Sequence, residues 1–460
     1  MKRNRFFALF LVVALVCSLL AVPLAHADGP EDAVPAMEAD AKAALLVDGE
    51  TGEILYEKNK DDELYPASIT KIMTALLVLE AIDAGQLSLD DQITVTATAL
   101  SGLSEDGSSA NIQQGEVMTV RNLLYCMLVV SANEACNILG EKVAGSVSAF
   151  VEMMNAKAQA LGCTHTHFVN ATGLHDSQHY TSAWDVYLIT KEAMTHPTFM
   201  TICDTAEYTV PATNLSKERV LHTTNYLLSN WRAVGYRYSE AHGIKTGSTS
   251  DAGHCLVSSA QKGSRSLISV VLGTDVKEVD GKKRVMSFYE TRRLFEWGFQ
   301  YFSRRTILSA GEMIQEASVT LSRKMNYVTL QPAEDVEALL PNNVDTADIQ
   351  RTVTLTQDPV PAPIARGDVL GKITLSYDGR VCGETELLAS SDVPASRLLI
   401  FQHQLAEFFS KTIVRIAAAI LAVLILLLLV WRLGNRRRRS RYGSSRRGGG
   451  RQNYRGRRRR

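Results

Sequence analysis

The sequence predicts an α+β body, an antiparallel sheet with helices on its faces and a helical insertion, followed by a small all-β domain and one transmembrane helix. Three observations carry this. Strand-like alternation marks both ends of residues 43–302 while helical periodicity fills the middle, which implies one antiparallel sheet around a helical insertion. Residues 310–400 change to short β-rich runs punctuated by turn residues. Residues 413–431 form an apolar run of 19 residues, interrupted by Arg415 near its start.

Taken in order, residues 1–27 read as a secretory signal. Lys2, Arg3 and Arg5 form a charged head, residues 6–22 are almost wholly apolar, and Ala25-His26-Ala27 supplies small residues for cleavage before Asp28. Residues 43–58 alternate around the turn Asp48-Gly49-Glu50-Thr51-Gly52, a strand hairpin. Residues 68–84 turn helical, with Ile72, Ala75, Leu76 and Leu79 on one face. Residues 120–130 and 133–143 are two more helices broken at Ser131, and residues 181–194 and 221–230 also have helical patterns. Strands return at 255–260 and 267–272 around the turn Lys262-Gly263-Ser264. An amphipathic helix over 284–302 then buries Val285, Phe288, Leu294, Phe295 and Phe299. In the smaller domain, strands are expected at 316–321, 326–330, 351–355 and 370–376. Tyr377-Asp378-Gly379-Arg380 turns the last of these into 381–388, and Pro359, Pro361 and Pro363 mark a loop. The expected divisions are signal 1–27, main unit 28–308, β domain 309–400, connector 401–412, span 413–431 and tail 432–460.

A formal net charge of zero, 49 basic against 49 acidic residues, hides a strong segregation. Residues 1–27 hold three basic residues and no acid, and residues 432–460 hold 14 arginines and no acid. Residues 28–431 therefore carry 32 basic residues against 49 acidic ones, a net charge of −17. The mixed composition, 46% hydrophobic and 21% charged, excludes a wholly disordered, collagenous or disulfide-scaffold chain. The apolar run spans roughly 28 Å as a helix at about 1.5 Å per residue, close to the hydrocarbon thickness. Arg432 and Arg436 to Arg439 follow at once, so the positive-inside rule places the tail in the cytoplasm and the acidic body outside. Arg-rich composition also suits phosphate contacts with nucleic acid. Holding the terminus at the anionic inner leaflet is the plainer role, and no nucleic-acid partner is expected. Besides Cys17 in the signal, six cysteines are scattered without a CxxC pair, and the sequence leaves their pairing open.

Three short motifs carry chemistry. Ser68-Ile69-Thr70-Lys71 opens a helix, where free N–H groups and the helix dipole favour a developing anion. The three-residue step puts Lys71 on the same face as Ser68. A serine hydroxyl needs a base, and Lys71 serves only if its pKa falls from about 10.4 towards 7, which takes roughly 4–5 kcal/mol of burial and repulsion. Ser259-Ala260-Gln261-Lys262 has the same spelling but runs from strand to turn, where the side chains do not align. Ser131-Ala132-Asn133 lies in the break between two helices, where Ser131 can relay a proton and Asn133 can bind a substrate amide; a plain helix cap is the bland alternative. Ser109-Ala110-Asn111 repeats that pattern within a polar, Gly-containing loop. Lys245-Thr246-Gly247-Ser248 precedes the second hairpin. On an edge strand Lys245 and Thr246 can meet a carboxylate, Gly247 lets a ligand approach the backbone, and the Ser248 N–H can complete an oxyanion hole.

These motifs occur in the order used by penicillin-binding proteins and class A β-lactamases. With Tyr65-Pro66-Ala67 before Ser68, His167-Phe168-Val169-Asn170-Ala171-Thr172-Gly173-Leu174, and Thr249-Ser250-Asp251-Ala252-Gly253 after Ser248, the chain resembles the low-molecular-mass penicillin-binding proteins. These are serine-type D-alanyl-D-alanine carboxypeptidases of bacterial wall metabolism. The resemblance extends over nearly the whole exported length, and the β domain resembles that family's C-terminal domain. It implies a β-lactamase/transpeptidase-like fold and an acyl-enzyme on Ser68, formed at the terminal D-Ala-D-Ala bond of peptidoglycan stem peptides. Lys71 would be the base, and Ser131 and Lys245 would protonate the leaving D-alanine. Asn133, Thr246, Gly247 and Ser248 would hold substrate, and β-lactams would trap Ser68. Many relatives end in an amphipathic surface helix, whereas this chain is expected to span.

Other readings use the same residues. A DD-endopeptidase would share the machinery and differ in its muropeptide products. A β-lactamase needs an added deacylating glutamate, and between residues 155 and 215 only Glu192 and Glu207 occur, each in a poor context. A non-catalytic wall-binding or sensor protein would not need all three motifs intact. His165, His167, His175 and His179, with Cys163 nearby, do not form a tight closed ligand set, so no metal and no cofactor is expected.

Overall fold

The computed structural model describes residues 34–104 and 107–441, so the expected signal at 1–27 and most of the Arg-rich tail lie outside the described residues. The chain divides into two compact units. One runs to Arg305 and includes Leu339–Asp345; the other holds Thr306–Ala338 and the residues from Thr346 onward.

In the first unit, β1 (Ala43–Asp48) turns into β2 (Ile54–Lys58) through a loop held by Asp48, whose Oδ1 accepts from the N–H groups of Glu50 and Thr51 at 3.2 and 2.8 Å. The short strands β3 (Gln92–Thr94) and β4 (Val117–Thr119) pair with each other, as do β5 (Glu207–Val210) and β6 (Arg219–His222). The main sheet adds β7 (Ala241–Thr249), β8 (Gly253–Lys262) and β9 (Arg265–Thr274) in the order β2-β1-β9-β8-β7, every neighbouring pair antiparallel. Both termini of the unit thus build one sheet, with β7 on its edge.

All six residues of β1 are buried, because the sheet is covered on both faces. Ala44 and Leu46 point to the layer formed by Leu294, Phe295 and Phe299 of α7 (Met286–Tyr301). Leu45 and Val47 point the other way, to the core shared with α1 (Lys71–Asp83). Burying each such leucine stabilises by roughly 1.5–3 kcal/mol. The helical layer continues with α2 (Val120–Val129), α3 (Asn133–Ala144), α4 (Val147–Ala160), α5 (Ala183–Ala193) and the short α6 (Pro197–Cys203). Thr119, Ser146 and Ser182 cap α2, α4 and α5 by accepting from the N–H three residues on.

Two features depart from the sequence reading. Residues 221–230 are not a helix: β6 ends at His222 and turns follow. Thr223 Oγ1 accepts from the Asn225 N–H and Asn225 Oδ1 from the Leu227 N–H, so side chains take the donors a helix would use. The helix α4 was not foreseen, although Phe150, Met154 and Ala158 are buried at four-residue spacing.

In the second unit, a six-stranded sheet runs in the order 350–355, 369–377, 380–389, 327–332, 316–320 and 360–361. Asp378 and Gly379, with φ of 49° and 75°, make the two-residue turn between Val369–Tyr377 and Arg380–Ala389, as the Asp-Gly pair requires. The stretch expected as a connector is largely helical: α8 spans Arg397–Ser410 and α9 spans Thr412–Arg441. Thr412–Leu433 is long and apolar enough to cross a membrane, and no other helix among the described residues is.

Candidate active site

Ser68 sits in a single 3₁₀ turn, Ala67–Thr70, that leads directly into α1. Ala67 has φ of 47°, unusual for a residue with a side chain. Its conformation is braced from behind, where the Thr70 hydroxyl donates to the Ala67 carbonyl at 2.9 Å and His179 Nε2 lies 2.8 Å from the same hydroxyl. The Val169 N–H reaches His179 Nδ1 at 3.2 Å. A backbone N–H can only donate, so Nδ1 accepts and Nε2 carries the hydrogen given to Thr70. Burial pushes the His179 pKa down to about 4, which keeps this neutral tautomer in place.

Lys71 is fully buried, one turn beyond Ser68. Its Nζ donates to Ser68 Oγ at 2.8 Å, Asn133 Oδ1 at 2.8 Å and the Thr172 carbonyl at 2.7 Å. Two of these partners only accept when facing an amine, whereas the serine hydroxyl can also donate. A neutral Lys71 therefore keeps its bonds to Asn133 and Thr172 and turns its lone pair to the Ser68 proton. Burial lowers the Lys71 pKa, outweighing the attraction of Cys136 and Glu134.

The break between α2 and α3 places Ser131 in the left-handed region, φ 67°, so its hydroxyl leaves the helix axis and enters the cleft. Lys245 Nζ donates to Ser131 Oγ at 3.0 Å and to the Thr246 carbonyl at 2.9 Å. Burial, followed by repulsion from Lys71, pushes Lys245 down to about 7. Thr246 Oγ1 lies 2.6 Å from Thr224 Oγ1. A cleft of about 220 Å³ is lined by Ser68, Ser131, Thr246, Gly247 and Ser248, together with residues of the loop after β6. The structure thus brings all eight site residues named from sequence to the cleft or to its two lysines.

Asn133 is the residue placed differently: its carbonyl oxygen faces Lys71 and it is buried, so it positions the amine rather than reaching outward. Gly247 also has a packing task beyond the one expected. A Cβ there would lie 2.8 Å from the Pro66 carbonyl and 3.2 Å from Ala67 Cβ, so its absence lets β7 pack against the nucleophile turn. Gly173, at φ +83°, is just as constrained, with the Ala67 carbonyl where its Cβ would be.

Sequence reasoning missed Thr172 as a Lys71 partner, Thr224, and Glu134, whose carboxylate accepts from Ser109 Oγ and the Ala110 N–H at 2.7 Å each. Thr172 belongs to the matched segment 167–174, but a carbonyl has no residue-type signature. The decoy Ser109-Ala110-Asn111 is indeed a loop, held by that glutamate. Glu192 pairs with Lys157 and Glu207 with His222, leaving neither placed as a deacylating base at Ser68. The four histidines have separate partners, and no group of three or more metal-ligating side chains occurs among the described residues. Cys126, Cys136, Cys163, Cys203 and Cys255 are free thiols. The arrangement provides a hydroxyl with an amine base, a second hydroxyl with an amine behind it, and an edge strand: the parts of an acyl transfer.

Residues 30–276 match the family described as D-alanyl-D-alanine carboxypeptidase, and residues 302–395 match the penicillin-binding protein 5 C-terminal domain. The D-alanyl-D-alanine carboxypeptidase DacF of Bacillus subtilis (strain 168) is 31% identical over 362 residues, covering 79% of this chain and 88% of that protein. DacC of Escherichia coli (strain K12), of the same description, is 31% identical over 369 residues, covering 79% and 86%. The structure is similar to that of penicillin binding protein 5 from Haemophilus influenzae, with a TM-score of 0.62 and 29% identity over 79% of this chain and 100% of that one. It is equally similar to the D-alanyl-D-alanine carboxypeptidase DacD from Francisella tularensis, with a TM-score of 0.62, 26% identity, and coverage of 80% and 98%.

Proposed function

The chain belongs to the D-alanyl-D-alanine carboxypeptidase family, a serine peptidase of the penicillin-binding fold, and we propose that Ser68 carries its chemistry on peptidoglycan stem peptides. Ser68 Oγ attacks the carbonyl between the two terminal D-alanines while its proton passes to Lys71 Nζ. The backbone N–H groups of Ser68 and Ser248 receive the oxyanion, one at a helix start and the other on an edge strand. Ser131, with Lys245 behind it, returns a proton to the leaving D-alanine, and water then releases the acyl-enzyme. The observation that carries this reading is the bond set of Lys71: two acceptors hold the amine so that its remaining position faces Ser68 at 2.8 Å.

The test is incubation of the purified protein with a diacetylated Lys-D-Ala-D-Ala peptide, assaying free D-alanine, alongside labelling with a fluorescent penicillin. Wild type is expected to release D-alanine and form a persistent adduct, and Ser68→Ala to do neither. Unchanged release by Ser68→Ala refutes the assignment, and rapid penicillin hydrolysis in place of an adduct favours a β-lactamase.

The same reading assigns residues 1–27 to an export signal, 28–308 to the peptidase, 309–400 to the β domain, 413–431 to a single span and 432–460 to a cytoplasmic tail. The apolar Thr412–Leu433 and the arginines that follow it support this topology.

A further inference from the structure

A second cavity, of about 250 Å³, is lined by Lys42, Glu63, Leu64, Tyr65, Tyr180 and Asp251. Tyr65 stands three residues before Ser68, and Asp251 three residues after Ser248. Three residues reach no further than about 11 Å, so the cavity adjoins both the nucleophile and the proposed oxyanion donor. Its walls are held in place. Leu64 bridges to Thr181, the Tyr65 ring meets His175 edge-on at 4.7 Å, and the Ala252 N–H donates to Thr249 Oγ1 at 3.0 Å across the turn after β7.

Three charged side chains share this lining. Glu63 and Asp251 make only long contacts with imidazoles, 3.7 Å to His165 and 3.8 Å to His175, and Ser250 Oγ donates to Asp251 Oδ2 at 3.0 Å. A Cβ on Gly273 would lie 2.7 Å from Lys42 Cδ, so the glycine lets the Lys42 stem lie against the end of β9. Among the described residues no carboxylate lies within ion-pair distance of Lys42. The cavity therefore offers two carboxylates and one ammonium that have capacity to spare.

Strand β7 gives the substrate a direction. In the mechanism above Lys245 and Ser131 stand on the leaving-group side and Ser248 at the scissile carbonyl. The acyl part then runs on past Thr249 towards the turn at 250–252. The residue before the two D-alanines has its Cα only about 3.8 Å beyond that of the acyl D-alanine. In stem peptides it is a diamino acid. Its side chain ends in an ammonium alone, as in lysine, or in an ammonium and a carboxylate on one carbon, as in diaminopimelate. The charges of the cavity complement the second ending.

Resting on the function proposed above, we propose that this cavity is a subsite for that diamino acid, with Asp251 and Glu63 binding its side-chain ammonium and Lys42 its side-chain carboxylate. Stems containing diaminopimelate are then preferred over stems containing lysine.

The test uses the full-length protein in detergent and three Nα-acetyl-X-D-Ala-D-Ala peptides, where X is meso-diaminopimelate, lysine or Nε-acetyl-lysine. Wild type is expected to rank them in that order by kcat/KM. Lys42→Gln should lower the ratio of diaminopimelyl to lysyl peptide by about five- to tenfold, between the worth of an exposed ion pair and that of a hydrogen bond to a charged group. Asp251→Asn should lower the ratio of lysyl to Nε-acetyl-lysyl peptide by a similar factor. Equal rates of wild type on all three peptides, or ratios unmoved in both variants, overturn the proposal. Acylation of Ser68 by a fluorescent penicillin reports a folded site in each variant. Because abolition of D-alanine release by Ser68→Ala tests the activity separately, release indifferent to the side chain overturns the subsite alone, whereas no release from any peptide overturns both readings.

Discussion

Lys71 and Lys245 put two amines in one buried site, and repulsion from Lys71 lowers the Lys245 pKa; a repulsion between like charges acts on both partners. The mechanism proposed above requires a working state with one proton between them, Lys71 neutral as base and Lys245 charged behind Ser131. Acylation should therefore fail on the acid side as Lys71 takes a proton and on the alkaline side as Lys245 loses one. Lys245→Gln removes the repelling charge, so Lys71 binds its proton more readily and the acid limb of penicillin acylation moves to higher pH. Stopped-flow acylation across pH reads this directly, and an unmoved limb rejects the coupling. His179 gives a second pH effect, on stability. Its folded pKa of about 4 lies below the ordinary 6.5, so the unfolded chain binds the proton first as pH falls. The His179 contribution is fully present above pH 6.5 and declines by about 3 kcal/mol until about pH 4. His179→Gln should flatten the acid side of a urea-melt pH profile; an unchanged slope shows that the ring does not stay neutral. At this scale Ser68, Lys71, Ser131 and Lys245 were legible from the order and context of the three motifs together, since Ser259-Ala260-Gln261-Lys262 and Ser109-Ala110-Asn111 repeat the spelling elsewhere. The sequence left His179 and the Thr172 carbonyl hidden, because one supports the nucleophile turn from behind and the other acts through a backbone atom.

Elements position these groups through close backbone approach rather than through side-chain bulk. Strand β7 reaches the nucleophile turn only because Gly247 has no Cβ to meet the Pro66 carbonyl. Gly247→Ala should push the edge strand outward by a few tenths of an ångström or more while leaving the sheet pairing intact. A displacement approaching 1 Å between oxyanion donor and nucleophile costs on the order of a hundredfold in rate. The expected outcome is acylation slowed by roughly that factor with Tm within a few degrees of wild type, measured by fluorescent-penicillin kinetics and calorimetry. Wild-type acylation would show that the contact does not set the site. The hairpin of β1 and β2, helices α1 to α3 and the Asp378-Gly379 turn were legible because period and turn chemistry agree there. Residues 221–230 misled because an apolar pattern was judged without its Thr223 and Asn225 side chains, which capture backbone N–H groups and favour turns. Helix α4 escaped because its buried stripe is narrow: only Phe150, Met154 and Ala158 are buried along it.

The charge distribution of the whole molecule is ordered along the chain: a body of net −17, an apolar helix, then 14 arginines with no acid. A span flanked on one side by so many positive charges has a strong preference for leaving them on the cytoplasmic face, where anionic lipid adds roughly 1 kcal/mol per basic residue close to the surface. On the topology proposed above, the acidic body lies on the opposite side. If this charge asymmetry fixes the topology, an epitope fused after Arg460 is protected from added protease in intact protoplasts and becomes digestible once they are permeabilised. An epitope placed at the exposed Asp378-Gly379 turn is cleaved in both. Replacing the arginines of residues 432–441 by glutamine weakens the preference and should yield a population with the tail epitope cleaved in intact cells. A tail that is already cleaved in wild-type protoplasts would put both ends of the helix on the outside, and the helix would then be a surface anchor that does not cross the membrane.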